Sequence, residues 1–181
     1  MSSYNGSMFI GFAACFPRVL PRWFYARLFC PPQPHMKGKA LYAPAGLRKI
    51  QASLIASGVS SKDIIVADPE HLEKVIDSNT KIIGITTSDP MGLGPASSTF
   101  SGLLGRETYT AFFFRNLVTN PLIRKSGATV IVGGPGAWQL QEESIRSRFG
   151  IDCLVEGEGE LVAARLFRDA LEGRAIPSRV S

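Results

Sequence analysis

The chain is poor in the residues that build metal centres and cross-links. Its 181 residues hold two histidines, His35 and His71, and three widely spaced cysteines, Cys15, Cys30 and Cys153, with no CxxC pair. An odd number of separated thiols without companion histidines argues against a disulfide framework or a structural zinc site, and fits a reducing cytoplasm. Cys153 lies inside the apolar run 151–155, where it reads as a small buried hydrophobe rather than a reactive thiol. Long hydrophobic runs are missing as well. The apolar stretch 8–16 is too short to span a bilayer and has no basic residues before it, so neither a membrane span nor a secretory signal is expected. Clustered positive charge is also absent. The formal charge is +5, but three of the 20 basic residues, Arg18, Arg22 and Arg27, lie in the first 35 residues, which contain no acid. The remainder is nearly balanced and has no basic run, which argues against nucleic acid as a partner.

What is present fits one domain with a hydrophobic core: 45% hydrophobic residues, with Gly 18 and Pro 12 grouped where strands would give way to helices. Residues 1–36 stand apart. They carry five of the eleven Phe, Trp23 and the cluster Pro31, Pro32 and Pro34, without a sustained helical or alternating period. Met36 directly precedes Lys37-Gly38-Lys39, so this stretch reads as an irregular extension, of the kind that a start codon set too far upstream would produce. The functional alternative is an aromatic, basic surface anchor or a docking arm.

From residue 37 the pattern becomes regular. Runs at 39–43, 63–67 (DIIVA), 81–86 (KIIGIT), 129–132 (TVIV) and 151–155 (IDCLV) each precede a stretch of helical spacing. The expected helices begin near Gly46, Asp68-Pro69, Thr108, Trp138 and Glu160, the first closed by Gly58 and the last stopped at Gly173 and Pro177. Five β-branched strands with no polar side predict an α/β fold: a doubly wound, five-stranded parallel sheet with helices on both faces, Rossmann- or flavodoxin-like, over residues 37–177. Residues 178–181 would begin a linker. Such sheets bind ligands beyond the carboxyl ends of their strands, near a reversal of strand order.

The turns at those ends are therefore the candidate site. After the third run, residues 87–99 form a long connection holding Thr87, Ser88, Asp89, Gly92, Gly94, Ser97 and Ser98. A connection of that length suggests a ligand-cradling loop, with glycines for close backbone approach and hydroxyls as uncharged donors and acceptors. After the fourth run comes Gly133-Gly134-Pro135-Gly136, suited to a flat ring or a phosphate at a helix start. After the fifth comes Glu156-Gly157-Glu158-Gly159-Glu160, whose acids would repel phosphate and suit sugar hydroxyls, amides or a helix cap.

Taken together, VIVGG at 130–134, DCLVEGEGE at 152–160 and KIIGIT at 81–86 resemble the cobalamin-binding domain that precedes many radical-SAM catalytic domains. The resemblance runs from about residue 39 to residue 177, and Tyr42-Ala43-Pro44 is similar to that group's first strand-to-helix turn. It implies that cobalamin's nucleotide tail contacts Thr86, Thr87, Ser88, Gly133, Gly134 and Pro135, that Gly157, Glu158 and Gly159 border the tail, and that the corrin lies over the strand ends above the 87–99 loop. Two departures qualify what is implied. The DxHxxG motif that supplies a lower histidine ligand to cobalt is replaced by Tyr42-Ala43-Pro44-Ala45-Gly46, so cobalamin would be held base-off without a protein histidine; His71 reads as an exposed helical residue. The CxxxCxxC motif is missing too, so the 4Fe-4S cluster and S-adenosylmethionine would belong to a catalytic domain or chain elsewhere, and the module would not be catalytic alone. The competing readings are an FMN- or phosphate-binding flavodoxin-like module, which would need a hydroxyl-rich loop in place of Ala43-Pro44-Ala45-Gly46, a response regulator, which would need paired acids after the first strand, and a cofactor-free docking subunit.

Overall fold

The computed structural model describes residues 3–4, 7–8, 13–30 and 34–181. Two short antiparallel pairs come first: β1 (Ser3–Tyr4) with β2 (Ser7–Met8), and β3 (His35–Met36) with β4 (Lys39–Ala40), with helix α1 (Arg22–Phe29) between them. Lys37 and Gly38 turn β3 into β4 with both φ values positive, 52° and 82°, which matches the twist of a tight hairpin. Helix α2 (Ala45–Ala56) follows Pro44, whose fixed φ suits a helix entry, and it ends at Gly58 (φ 99°).

The main sheet is parallel and consists of β5 (Ile82–Thr86), β6 (Thr129–Gly133), β7 (Cys153–Val155) and β8 (Arg179–Val180), in that order. Between β5 and β6 lie α3 (Pro95–Leu104), α4 (Tyr109–Val118) and α5 (Pro121–Lys125); α6 (Glu143–Phe149) precedes β7 and α7 (Gly159–Leu171) follows it. Ile85, Val130, Val132 and Leu154 pack on one face with Phe114, Val118, Leu140 and Phe149. On the other face Ile131, Cys153 and Val155 meet Leu166, Val162 and Phe167 of α7. Covering both faces explains why these strands carry no polar side. Leu154 and Cys153 are fully buried, a burial that stabilises the fold by about 1.5–3 kcal/mol for a leucine-sized side chain. Burial also raises the Cys153 thiol pKa, as expected of a packing residue.

The sheet has four strands, not five. The runs at 39–43 and 63–67 stay outside it. Only Lys39 and Ala40 of the first run form a strand, in the hairpin, and the second run lies extended beside that hairpin through Ala40 N–H to the Val66 carbonyl (2.9 Å) and a single bridge at Ala67. The fourth strand comes instead from residues 179–180, expected to start a linker. Leu154 N–H donates to the Ser178 carbonyl (3.0 Å) and Glu156 N–H to the Val180 carbonyl (2.8 Å). Strand order follows chain order, so this sheet contains no reversal of the kind that would mark a ligand crevice.

Three helix expectations are also modified. The 87–105 connection is not a structureless loop, because 95–104 forms α3, begun by Pro95 and ended at Gly105 (φ 59°). The helix expected near 108–124 is broken where Pro121 lacks an amide donor, and the Asn120 side chain caps α5 through Leu122 N–H (2.9 Å). After Asp68 the chain makes a 3-10 turn, Pro69–Lys74, kinked at His71.

Residues 13–30, assigned from sequence to the irregular extension, pack against the start of α4. Tyr25 is 2% exposed and stacks on Tyr109 with ring centroids 3.5 Å apart. The Tyr109 hydroxyl donates to the Leu20 carbonyl (2.9 Å), and Arg18 N–H donates to the Glu107 carbonyl (2.8 Å). Residues 1–2, 5–6, 9–12 and 31–33, part of the same expected extension, lie outside the described residues. No described helix is long and apolar enough to cross a membrane.

Candidate functional site

The parallel pairing brings the carboxyl ends of β5, β6 and β7 side by side, with Thr86 opposite Gly133 and Val132 opposite Leu154. The first two turns close on each other. Thr87 N–H donates to the Gly133 carbonyl (2.9 Å) and Gly136 N–H to the Thr87 carbonyl (3.0 Å). A β-carbon on Gly134 (φ 102°) would lie 2.6 Å from Thr86 Oγ1 and 2.7 Å from the Thr87 carbonyl oxygen; one on Gly136 would lie 2.5 Å from the Ser88 carbonyl carbon. These glycines let two protein segments touch. The close approach foreseen for a ligand is taken by the chain itself, and there is no slot for a nucleotide tail against Gly134 on that side.

Beneath this seam Asp89 is buried at 8% exposure. Its Oδ1 accepts from Gly94 N–H (2.9 Å) and from Gln139 Nε2 (2.7 Å), while Gln139 Oε1 accepts from Met91 N–H (2.9 Å). Asp89 thus fastens the start of α3 to the segment after β6, and the positive end of the α3 dipole offsets its charge. Among the described residues, Asp89 Oδ2 and Ser97 Oγ are buried without a hydrogen-bond partner. Gly92 and Ser98 line an open cleft of about 530 Å³ that also includes Met91, Leu93, Arg115 and Arg148. Its volume suits a small ligand.

The third turn stays open. Gly157 (φ 81°) has nothing within 4 Å of its β-carbon direction, and Glu158 is exposed. Glu156 is instead paired with Arg179 of β8, so it is not a free repelling charge. Lys49 Nζ lies 3.0 Å from Glu160, Ser53 donates to the Glu160 carbonyl (2.8 Å), and Ile50 closes on Gly159. A backbone amide and then Lys49 hold the Glu160 carboxyl below its ordinary range. These contacts fix α2, into which the turn Tyr42, Ala43 and Pro44 leads, on the start of α7.

The sequence-nominated residues therefore divide. Thr86, Thr87, Gly133, Gly134, Gly136, Asp89 and Gly94 serve the seam and its support; Gly92 is buried against Thr108, where a β-carbon would lie 2.8 Å from Oγ1; Tyr42, Gly157, Glu158 and Ser98 are exposed. Sequence reasoning named Tyr42 (71% exposed), on the β4–α2 turn, but passed over three other exposed apolar side chains: Leu93 (53%) after β5, Trp138 (51%) after β6 and Leu161 (76%) at the start of α7. Their signal was a large apolar residue within a few positions of each strand-end glycine motif. It also passed over a contact of His35 and His71 with Asp68, far from these turns in sequence. His71 is half-buried on the kinked turn, not an exposed helical residue. No protein-family model, curated protein or solved structure matches this chain, so its own residues carry the functional reading.

Proposed function

We propose that this chain is a corrinoid-binding module that serves a radical-SAM catalytic domain or chain and holds cobalamin base-off, without a histidine on cobalt. The observation that supports it is a set of exposed apolar side chains after the sheet strands, Leu93 after β5, Trp138 after β6 and Leu161 at the start of α7, together with Tyr42 on the turn into α2. Isolated exposed apolar residues are ordinary, but one after each of β5, β6 and β7, beyond the strand ends where α/β sheets take ligands, suits a broad, largely apolar ring. Gly157 leaves room for that ring beside the third turn. With the seam at Gly134 closed, the corrin rests on the outer surface of the strand ends instead of sending its tail into the fold. Both histidines are engaged with Asp68, in keeping with a cobalt that has no protein ligand below it.

The test is to replace that surface. Trp138→Asp and Leu161→Asp, each at an exposed site, are expected to change stability by no more than about 0.5 kcal/mol and to weaken hydroxocobalamin binding in a spectral titration by about tenfold or more, roughly 1.4 kcal/mol. Unchanged affinity in both variants would place any corrinoid elsewhere. A second reading, a cofactor-free docking subunit, is favoured by the closed seam at Gly134 and Gly136; it predicts no binding by the unsubstituted chain.

A further inference from the structure

We infer that His35, Asp68 and His71 form a site for one divalent late-transition cation of the zinc type, independent of the corrinoid reading. The three side chains come from two elements. His35 lies on β3, while Asp68 and His71 lie at the start of the Pro69–Lys74 turn. Asp68 N–H donates to the Gly38 carbonyl (2.8 Å), which fixes this turn against the hairpin. Asp68 Oδ1 caps the turn by accepting from Glu70 N–H (3.1 Å), leaving Oδ2 turned toward the histidines. His71 Nδ1 lies 2.9 Å and His35 Nδ1 3.5 Å from that one oxygen, and the imidazole centroids are 3.8 Å apart.

Chemistry and charge both favour a cation there. Two imidazole nitrogens and a carboxylate oxygen are a donor set for Zn²⁺ and its neighbours, whereas calcium and magnesium favour oxygen. All three donor atoms lie within 4.8 Å of one another. Zinc at its usual bond lengths of about 2.0–2.1 Å places tetrahedral ligand atoms about 3.3 Å apart, and the separations of 2.9 and 3.5 Å bracket that value. Small side-chain movements would therefore suffice. The Asp68 side chain is 8% exposed, and its partners across Oδ2 are imidazoles rather than a lysine or arginine. A carboxylate so buried calls for positive charge, which a divalent ion supplies. The histidine side chains remain 24% and 27% exposed, enough for water to complete the coordination. The bound ion would clamp the β3–β4 hairpin to the turn.

The full chain, stripped with a chelator, is titrated with Zn²⁺ against a chromophoric competitor and separately with Co²⁺. One ion per chain is expected at low micromolar affinity, together with a rise in melting temperature as metal is added. Co²⁺ should give visible bands of nitrogen and oxygen coordination without the intense near-ultraviolet band of thiolate, which separates this site from Cys15, Cys30 and Cys153. His35→Gln and His71→Ala should each weaken binding by about 100-fold or more, or about 2.7 kcal/mol. Circular dichroism of the metal-free variants checks folding, and His35→Gln, at a hairpin position, keeps the test valid if His71→Ala unfolds. Absence of uptake by the unsubstituted chain, or equal uptake by folded variants, would overturn the proposal and leave a hydrogen-bonded Asp-His pair. Cobalamin affinity should be the same in His71→Ala, so failure here and failure of the corrinoid reading are distinguishable.

Discussion

Gly134→Val is expected to destabilise the domain by about 2–6 kcal/mol. Two costs add at this position. A φ of 102° is a conformation that side-chain-bearing residues rarely adopt, at about 1–3 kcal/mol. A branched side chain would also force Thr86 and Thr87 away, because even a β-carbon would lie 2.6 Å from Thr86 Oγ1, and overpacking of this kind costs about 1–3 kcal/mol. Gly157→Val is the control. It shares a positive φ (81°) but meets nothing within 4 Å, so only the strain should appear. Denaturant melts of the two variants measure the difference. Equal losses would mean that the seam between the β5 and β6 turns is looser than described, and a slot for a nucleotide tail would again be open there.

Tyr25→Ala should cost about 3–5 kcal/mol, the usual range for removing a large buried aromatic ring. Tyr25 is 2% exposed and stacked on Tyr109, which is itself 1% exposed and hydrogen-bonded to Leu20. At about 2–4 °C per kcal/mol for a chain of this size, the melting temperature should fall by about 10 °C. A fall of less than about 2 °C would show that residues 13–30 are an appendage after all, as their composition suggested. Burial raises the Tyr25 phenol pKa, so its ionisation opposes folding and the contact should also weaken at strongly alkaline pH.

These residues show where the sequence was informative. The runs that became β5, β6 and β7, and the helix from Gly159 to Leu171, were legible because continuous β-branched stretches and a strong amphipathic period report burial directly. The runs at 39–43 and 63–67 have the same local character, yet strand formation needs a neighbour, and pairing across the fold is not written in a short segment. Residues 179–180 show the converse: Arg179 and Val180 form a strand because β7 offers them an edge. The extension misled for a related reason, since Tyr25 and Pro17 are buried by α4 and residues near 108, about 85–90 positions further on.

The site was half legible. Glycine motifs located the strand ends, but a glycine reports only that something comes close, and at Gly134 and Gly136 the neighbours are Thr86 to Pro90. Only the fold could reveal that. Asp68 and His71, three residues apart at the start of a proline turn, were within reach of sequence reading; His35 joins them only through the hairpin.

The corrinoid assignment is tested most directly by mixing the purified chain with hydroxocobalamin, removing free ligand by gel filtration and recording the absorption spectrum of the protein peak. Corrin bands are expected at about one equivalent per chain, of base-off form and unchanged in His71→Ala. A protein peak without corrin absorption would contradict it and leave the cofactor-free docking subunit.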